Sequence, residues 1–152
     1  MDMTGEQHIA APRAIVWGAL NDAEILQQCI PGCQSLEWIS PAALSAAVKI
    51  KIGPISSSFT GEVTLSNVVA GESYTILGEG KGGIAALARG GADVVLVEAG
   101  DETVLQYTAS AQVGGKLAQF GSRLISATAQ KFAQRFFADF NAAVSARADS
   151  DA

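Results

Sequence analysis

The sequence is short of the residues on which most enzymes and nucleic-acid binders rely. In 152 residues it has one histidine, two cysteines and four prolines, and only 16% of its residues are charged. Ten Lys and Arg stand against fifteen Asp and Glu, for a net charge of −5, and the cations form no block. Nucleic acid is therefore excluded as a partner, because displacing phosphate counterions takes clustered Lys and Arg. No apolar run approaches the roughly 18 residues of a spanning helix. The longest strand-like run, Val94-Val95-Leu96-Val97, stops at Glu98. The first eight residues are polar and acidic, without the apolar stretch of a secretory leader. A cytoplasmic protein is expected.

The scarcity extends to chemistry. Cys29, Cys33 and the distant His8 do not make a zinc site, which takes three or four ligands, so no metal and no cofactor are expected. Pro31-Gly32 prevents the helix that would face the two thiols toward each other. They read as small buried or half-buried side chains, with a redox pair as the rarer alternative. Strand alternation puts His8 on a polar face with Thr4 and Glu6, and no Ser or Cys nucleophile can be placed beside it. Gly78-Glu79-Gly80-Lys81-Gly82-Gly83 lacks phosphate-loop spacing and precedes a strand rather than a helix. No carboxylate pair has a supported geometry, and no catalytic residue is assigned. Trp17 and Trp38 read as core or rim packing.

What is present is a large apolar fraction, 49%, in a clear order. Residues 1–9 alternate, with Met3, Gly5, Gln7 and Ile9 on one face. Ala11-Pro12-Arg13 starts a helix with proline at its first position. Asn21-Asp22 interrupts it and caps a second short helix through Leu26. Pro31-Gly32 ends the pair. A short strand near 35–39 follows, then strands over 44–52, 59–66, 74–80, 92–98 and 105–113. Gly53-Pro54, Ala70-Gly71, Lys81-Gly82-Gly83 and Gly100-Asp101 form the turns. Clean alternation means one wet and one buried sheet face, and short turns mean an antiparallel meander. From Lys116 to about Ala146 the period is helical without proline, about 45 Å of helix at 1.5 Å per residue. The expected fold is α+β: a curved antiparallel seven-stranded sheet wrapped around a long C-terminal helix, with two short helices between strands 1 and 2, the helix-grip order. Residues 1–147 read as one domain and 148–152 as a frayed tail.

The inward sheet positions are unusually small: Ala46, Gly61, Gly78, Gly80, Ala92, Ala109 and Ala111. Either the helix packs closely against them, or the space stays open for a ligand. The helix carries an apolar stripe at four-residue steps, and each step overshoots a full turn by about 40°. Its N-terminal half presents Leu117, Phe120, Gly121, Leu124 and Ile125; its C-terminal half presents Phe132, Phe136, Phe137 and Phe140 on a rotated face. Gly121 inside a helix costs about 1 kcal/mol against alanine, which calls for a packing or access reason. Tyr74 and Tyr107 are the polar candidates at the cavity. Lys116, Arg123, Lys131 and Arg135 read as a solvated face, with a weak electrostatic docking surface as the alternative. The candidate ligand-binding set is Gly61, Tyr74, Tyr107, Ala109, Ala111, Leu117, Phe120, Gly121, Leu124 and Phe132. An apolar cavity with one or two donors suits a quinone, isoprenoid, lipid or aromatic polyketide.

Several stretches together resemble one family: Ala11-Pro12-Arg13 with Val16-Trp17, Leu20-Asn21-Asp22, Cys29-Ile30-Pro31-Gly32-Cys33, Lys51-Ile52-Gly53-Pro54, Phe59-Thr60-Gly61, the glycine-rich 78–83 and Val113-Gly114-Gly115-Lys116-Leu117-Ala118-Gln119. In order and spacing they are similar to the CoxG proteins of carbon monoxide dehydrogenase, from about Met3 to Phe140. The resemblance implies a START/Bet v1-like fold and a non-enzymatic accessory role beside a molybdenum hydroxylase of the carbon monoxide dehydrogenase type. It also implies help in recruiting that enzyme to the cytoplasmic membrane, where electrons enter the quinone pool. Family members often continue into a Pro/Ala-rich linker and a membrane-binding tail. This sequence ends at Ala152 on a polar segment, so a transient, peripheral contact with the inner face of the membrane is expected rather than an anchor. The expected partners are a hydrophobic small molecule (quinone or lipid) and that hydroxylase. The alternatives are an assembly or docking protein with a filled core, and an enzyme of the polyketide-cyclase type.

Overall fold

Alternation of apolar and polar residues yields seven strands, and helical periodicity yields three helices. The computed structural model describes residues 2–52, 55–82 and 86–151; the side chains of 55, 86, 87, 116, 117, 122 and 149–151 are not among those described. In chain order the elements are β1 (Asp2–Ile9), α1 (Arg13–Leu20), α2 (Ala23–Cys29), β2 (Cys33–Ser40), β3 (Ala43–Ile52), β4 (Ile55–Val69), β5 (Ser73–Gly82), β6 (Ala86–Ala99), β7 (Glu102–Gly115), a 3-10 turn (Lys116–Phe120) and α3 (Gly121–Asp151).

The strands form one antiparallel sheet in the order β1-β7-β6-β5-β4-β3-β2. Strands β2 to β7 follow one another as a meander, while β1 returns to pair with β7, Gly5 opposite Tyr107 and Ile9 opposite Thr103. The seven-stranded helix-grip architecture expected from the sequence is the one observed.

The differences lie at the boundaries. Pro12 is the residue before α1, with an extended ψ of 153°, rather than its first helical residue. Asp22 caps α2 as expected, accepting from Glu24 N–H at 3.0 Å and Ile25 N–H at 3.3 Å. That helix continues three residues past Leu26, to Cys29. Strands β4, β6 and β7 extend further than the alternation suggested, since paired glycine and alanine positions prolong the ladder: Gly78 faces Gly90, and Gly90 faces Ala111. Lys81 and Gly82 belong to β5 rather than to a turn. The Gly53-Pro54 turn and Gly83 lie outside the described residues. The long helix starts five residues later than Lys116. Gly121 adopts φ 77° and ψ 159°, which separates the 3-10 turn from α3. Its presence is thus a backbone requirement at a junction, since that region is essentially reserved for glycine, and not a helix-interior cost. At its other end α3 runs to Asp151.

Two hydrophobic clusters hold the layers together. The larger joins Val16, Ala19 and Leu20 of α1, Cys29, Leu96, Leu105, and Phe140 and Val144 of α3, all buried. Thr103, fully buried, donates its hydroxyl to the Ala11 carbonyl at 2.8 Å and fixes the turn after β1. Asn141 ties α3 to the same turn, accepting from Ala10 N–H at 3.1 Å and donating to the His8 carbonyl at 3.3 Å. The smaller cluster sits at the other end: Ile52 and Phe59 with Phe120, Leu124, Ile125 and Val113. The winding stripe of α3 thereby serves two cores with two faces.

Candidate ligand-binding groove

Between the two cores, α3 comes nearest the sheet at β1 and β3, toward its margins, and stands further from the central strands. The space left is an apolar groove of about 470 Å³. Ala46 and Val48 of β3, Phe59 and Gly61 of β4, Gly78 and Gly80 of β5, Gly90 and Ala92 of β6, Ala111 and Val113 of β7, and Phe132 of α3 line it. The register explains why these side chains meet. Ala46 faces Gly61, Gly61 faces Gly80, and Gly80 faces Ala88, so one row of the sheet carries almost no side-chain volume. Gly61 is constrained by its neighbour strand as well: a Cβ there would overlap the Glu79 carbonyl oxygen.

The groove wall is almost wholly apolar. Glu62, Glu79 and Arg89 border it but are exposed residues of the alternate, outer row, and Arg89 Nε donates to Glu79 Oε1 at 2.7 Å. Among the described residues, no group of three or more His, Cys, Asp and Glu is placed to hold a metal. Burial, helped by the Asp139 charge, pushes the Cys29 thiol up; burial also raises Cys33, against a hydrogen bond to the Ser35 carbonyl. Both thiols are free and in their neutral form at ordinary pH. His8 is exposed on the polar row of β1.

The structure brings Gly61, Ala111 and Phe132 of the candidate set together in the groove wall. Phe120 and Leu124 pack in the smaller core at its end. Ala109 lies one pair further along, opposite Met3 and Ala92. The two tyrosines sit elsewhere. Tyr74 is buried in the larger core, edge-on to Trp17 at 5.3 Å, and burial holds its hydroxyl far above the usual phenol range. Tyr107 lies across Gly5 and stacks on Phe137 at 5.4 Å. Bulky aromatic rings fill the end where α1 and the last turns of α3 close over the sheet, so neither tyrosine lines the groove. Gly121 is exposed at its junction, and the side chain of Leu117 lies outside the described residues. Gly90, Val48 and Ile76 were not singled out from the sequence. The alternation Ala88, Gly90, Ala92 against Arg89 carried the signal for β6, but its glycines read as a loop.

The family profile of CoxG, a component of carbon monoxide dehydrogenase, matches residues 5–145. The chain belongs to the CoxG family. Its fold is also that of solved structures. A conserved protein from Geobacillus kaustophilus superposes with a TM-score of 0.88 at 28% identity, covering 95% of each chain. A START superfamily protein from Mycobacterium smegmatis gives 0.65 at 16%, covering 99% of each. The ZhuI aromatase/cyclase from Streptomyces sp. R1128 gives 0.67 at 12%, covering 97% of this chain and 94% of that one. These last two likenesses show the START/Bet v1-like helix-grip fold alone. No curated protein matches this CoxG-family chain. Among the described residues, no helix is long and apolar enough to cross a membrane.

Proposed function

We propose that this CoxG-family chain is a non-catalytic accessory protein of a molybdenum hydroxylase of the carbon monoxide dehydrogenase type, and that it holds a quinone or another lipid in the groove between sheet and α3. The observation that supports this reading is the groove itself. Its volume of about 470 Å³ falls within the range of small-molecule sites. Its wall offers burial to an apolar molecule and, among the described residues, no titratable side chain of the inward row to attack or protonate it. A dry apolar site suits carriage better than acid-base chemistry, which needs a positioned group near its working pKa.

In this role the protein meets the membrane transiently, takes up or releases a lipophilic electron carrier, and serves the hydroxylase in its exchange with the quinone pool. The test is ligand-dependent stability. With menaquinone, ubiquinone or a lipid at a hundredfold excess over Kd, a ligand that binds only the folded chain adds about 2.7 kcal/mol. The unfolding midpoint then rises by about 5–10 °C for a chain of this size. An unchanged midpoint with each of these ligands would sink the proposal.

A further inference from the structure

A second concavity, of about 580 Å³, opens beside the groove between the margin of the sheet and α3. Local structure makes one side rigid. Gly32 adopts φ 75°, its carbonyl accepts from Lys49 N–H at 2.9 Å, and a Cβ there would overlap the Lys49 carbonyl oxygen. The Pro31-Gly32 turn is thus clipped to β3 just beyond Val48, the last β3 residue paired with β2. On the other side α3 contributes Leu124, Thr128, Lys131 and Arg135, at spacings of three and four that share one helix face.

The charges in this cleft are of one sign. Lys49, Lys51, Lys131 and Arg135 are its titratable lining residues, and no carboxylate stands among them. Four of the ten Lys and Arg of an acidic chain are gathered here. Among the described residues the ion pairs use Arg13, Arg89 and Arg147, and none of these four cations. Like charges without counter-charge repel one another, and a concave wall focuses their field, so an anion in the cleft is favoured on both counts. Ile50 and Phe132 line the cleft and the apolar groove alike. One molecule can therefore occupy both.

We infer that the cleft binds the anionic head group, phosphate or carboxylate, of a lipid whose apolar chain lies in the adjoining groove. This rests on the groove being a lipophile site, and narrows its preferred ligand from neutral lipophiles to anionic amphiphiles. Calorimetric titration of the whole chain with oleyl phosphate, oleate, oleyl alcohol and inorganic phosphate, each kept monomeric, tests it. At low salt the two charged amphiphiles bind about tenfold tighter than the alcohol. That advantage shrinks as salt is raised to about 0.5 M, because exposed charges are screened. The double variant Lys131→Gln/Arg135→Gln loses most of the advantage and keeps the affinity for the alcohol. Equal binding of charged and neutral chains, or an advantage that survives both salt and the double variant, overturns the head-group site and leaves the groove reading intact. Inorganic phosphate binding as tightly as oleyl phosphate overturns the lipid part, since the cleft then takes a free anion. Failure of every probe to bind overturns the inference and the groove reading together. Should the double variant not fold, the single variants Lys131→Gln and Arg135→Gln are read in the same way.

Discussion

Small side chains decide where the groove lies. Ala111 of β7 stands opposite Gly90, and its methyl group is all that separates the sheet backbone from the space under Phe132. Replacing it by leucine puts three further carbons into that space without adding a polar group. Ala111→Leu is expected to weaken binding of a lipophilic ligand by about tenfold or more. Stability should hold or rise, as cavity-filling changes commonly add about 0.5–2 kcal/mol. Titration of ligand into wild type and variant, beside their thermal melts, checks both halves. At Tyr74 the relevant quantity is a proton. The buried phenol resists ionisation, whereas in the unfolded chain it titrates near about 10. The unfolded state therefore loses its proton first, and stability falls as pH rises above that value. Unfolding midpoints measured from pH 8 to pH 11 (about the span that matters) should drop more steeply for wild type than for Tyr74→Phe. Parallel curves would show that the buried hydroxyl is not the cause.

At the scale of elements, the junction before α3 sets the geometry of the site. The 3-10 turn places Phe120 in the smaller core, and Gly121 then redirects the chain so that Phe132 reaches the groove and Phe140 the larger core. Gly121 has open space around it, so an added methyl group meets no neighbour and acts through the backbone alone. Gly121→Ala is expected to cost about 1–3 kcal/mol, measured by urea denaturation; a loss near zero would mean that the junction does not need its conformation. The sequence shows why this was hard to foresee. The apolar period runs unbroken from Leu117 to Val144, and periodicity reports which face is apolar, not where a helix begins. Strand order and alternation were legible because polar and apolar residues take turns in β1, β4 and β7. The small row was legible in part: Gly61 and Ala111 stood out among larger neighbours, whereas Gly90 was hidden in a stretch that reads as a turn. The tyrosines were misplaced because alternation gives the face of a sheet and not the position along it. The basic cleft could not be read at all. Lys49 and Lys51 lie far from Lys131 and Arg135 in the sequence, and only the packing of α3 on the margin of β3 brings them to one concavity.

For the whole molecule, two cores at opposite ends of one sheet leave the middle open, and that division of labour is the physical basis of the account. The larger core, with Phe140, Val144, Leu105 and Ile9 nearly or fully buried, carries the stability. The glycine and alanine row gives up packing between the cores and gains a binding space. The central claim is that a lipophilic molecule occupies this space. Native mass spectrometry on protein purified gently from its host tests it most directly. The account predicts a population heavier than the bare chain by the mass of one quinone or lipid, released on denaturation and absent or depleted in Ala111→Leu. Wild-type protein that emerges only at its bare mass, and still does so after incubation with menaquinone, ubiquinone and anionic lipids, would contradict it.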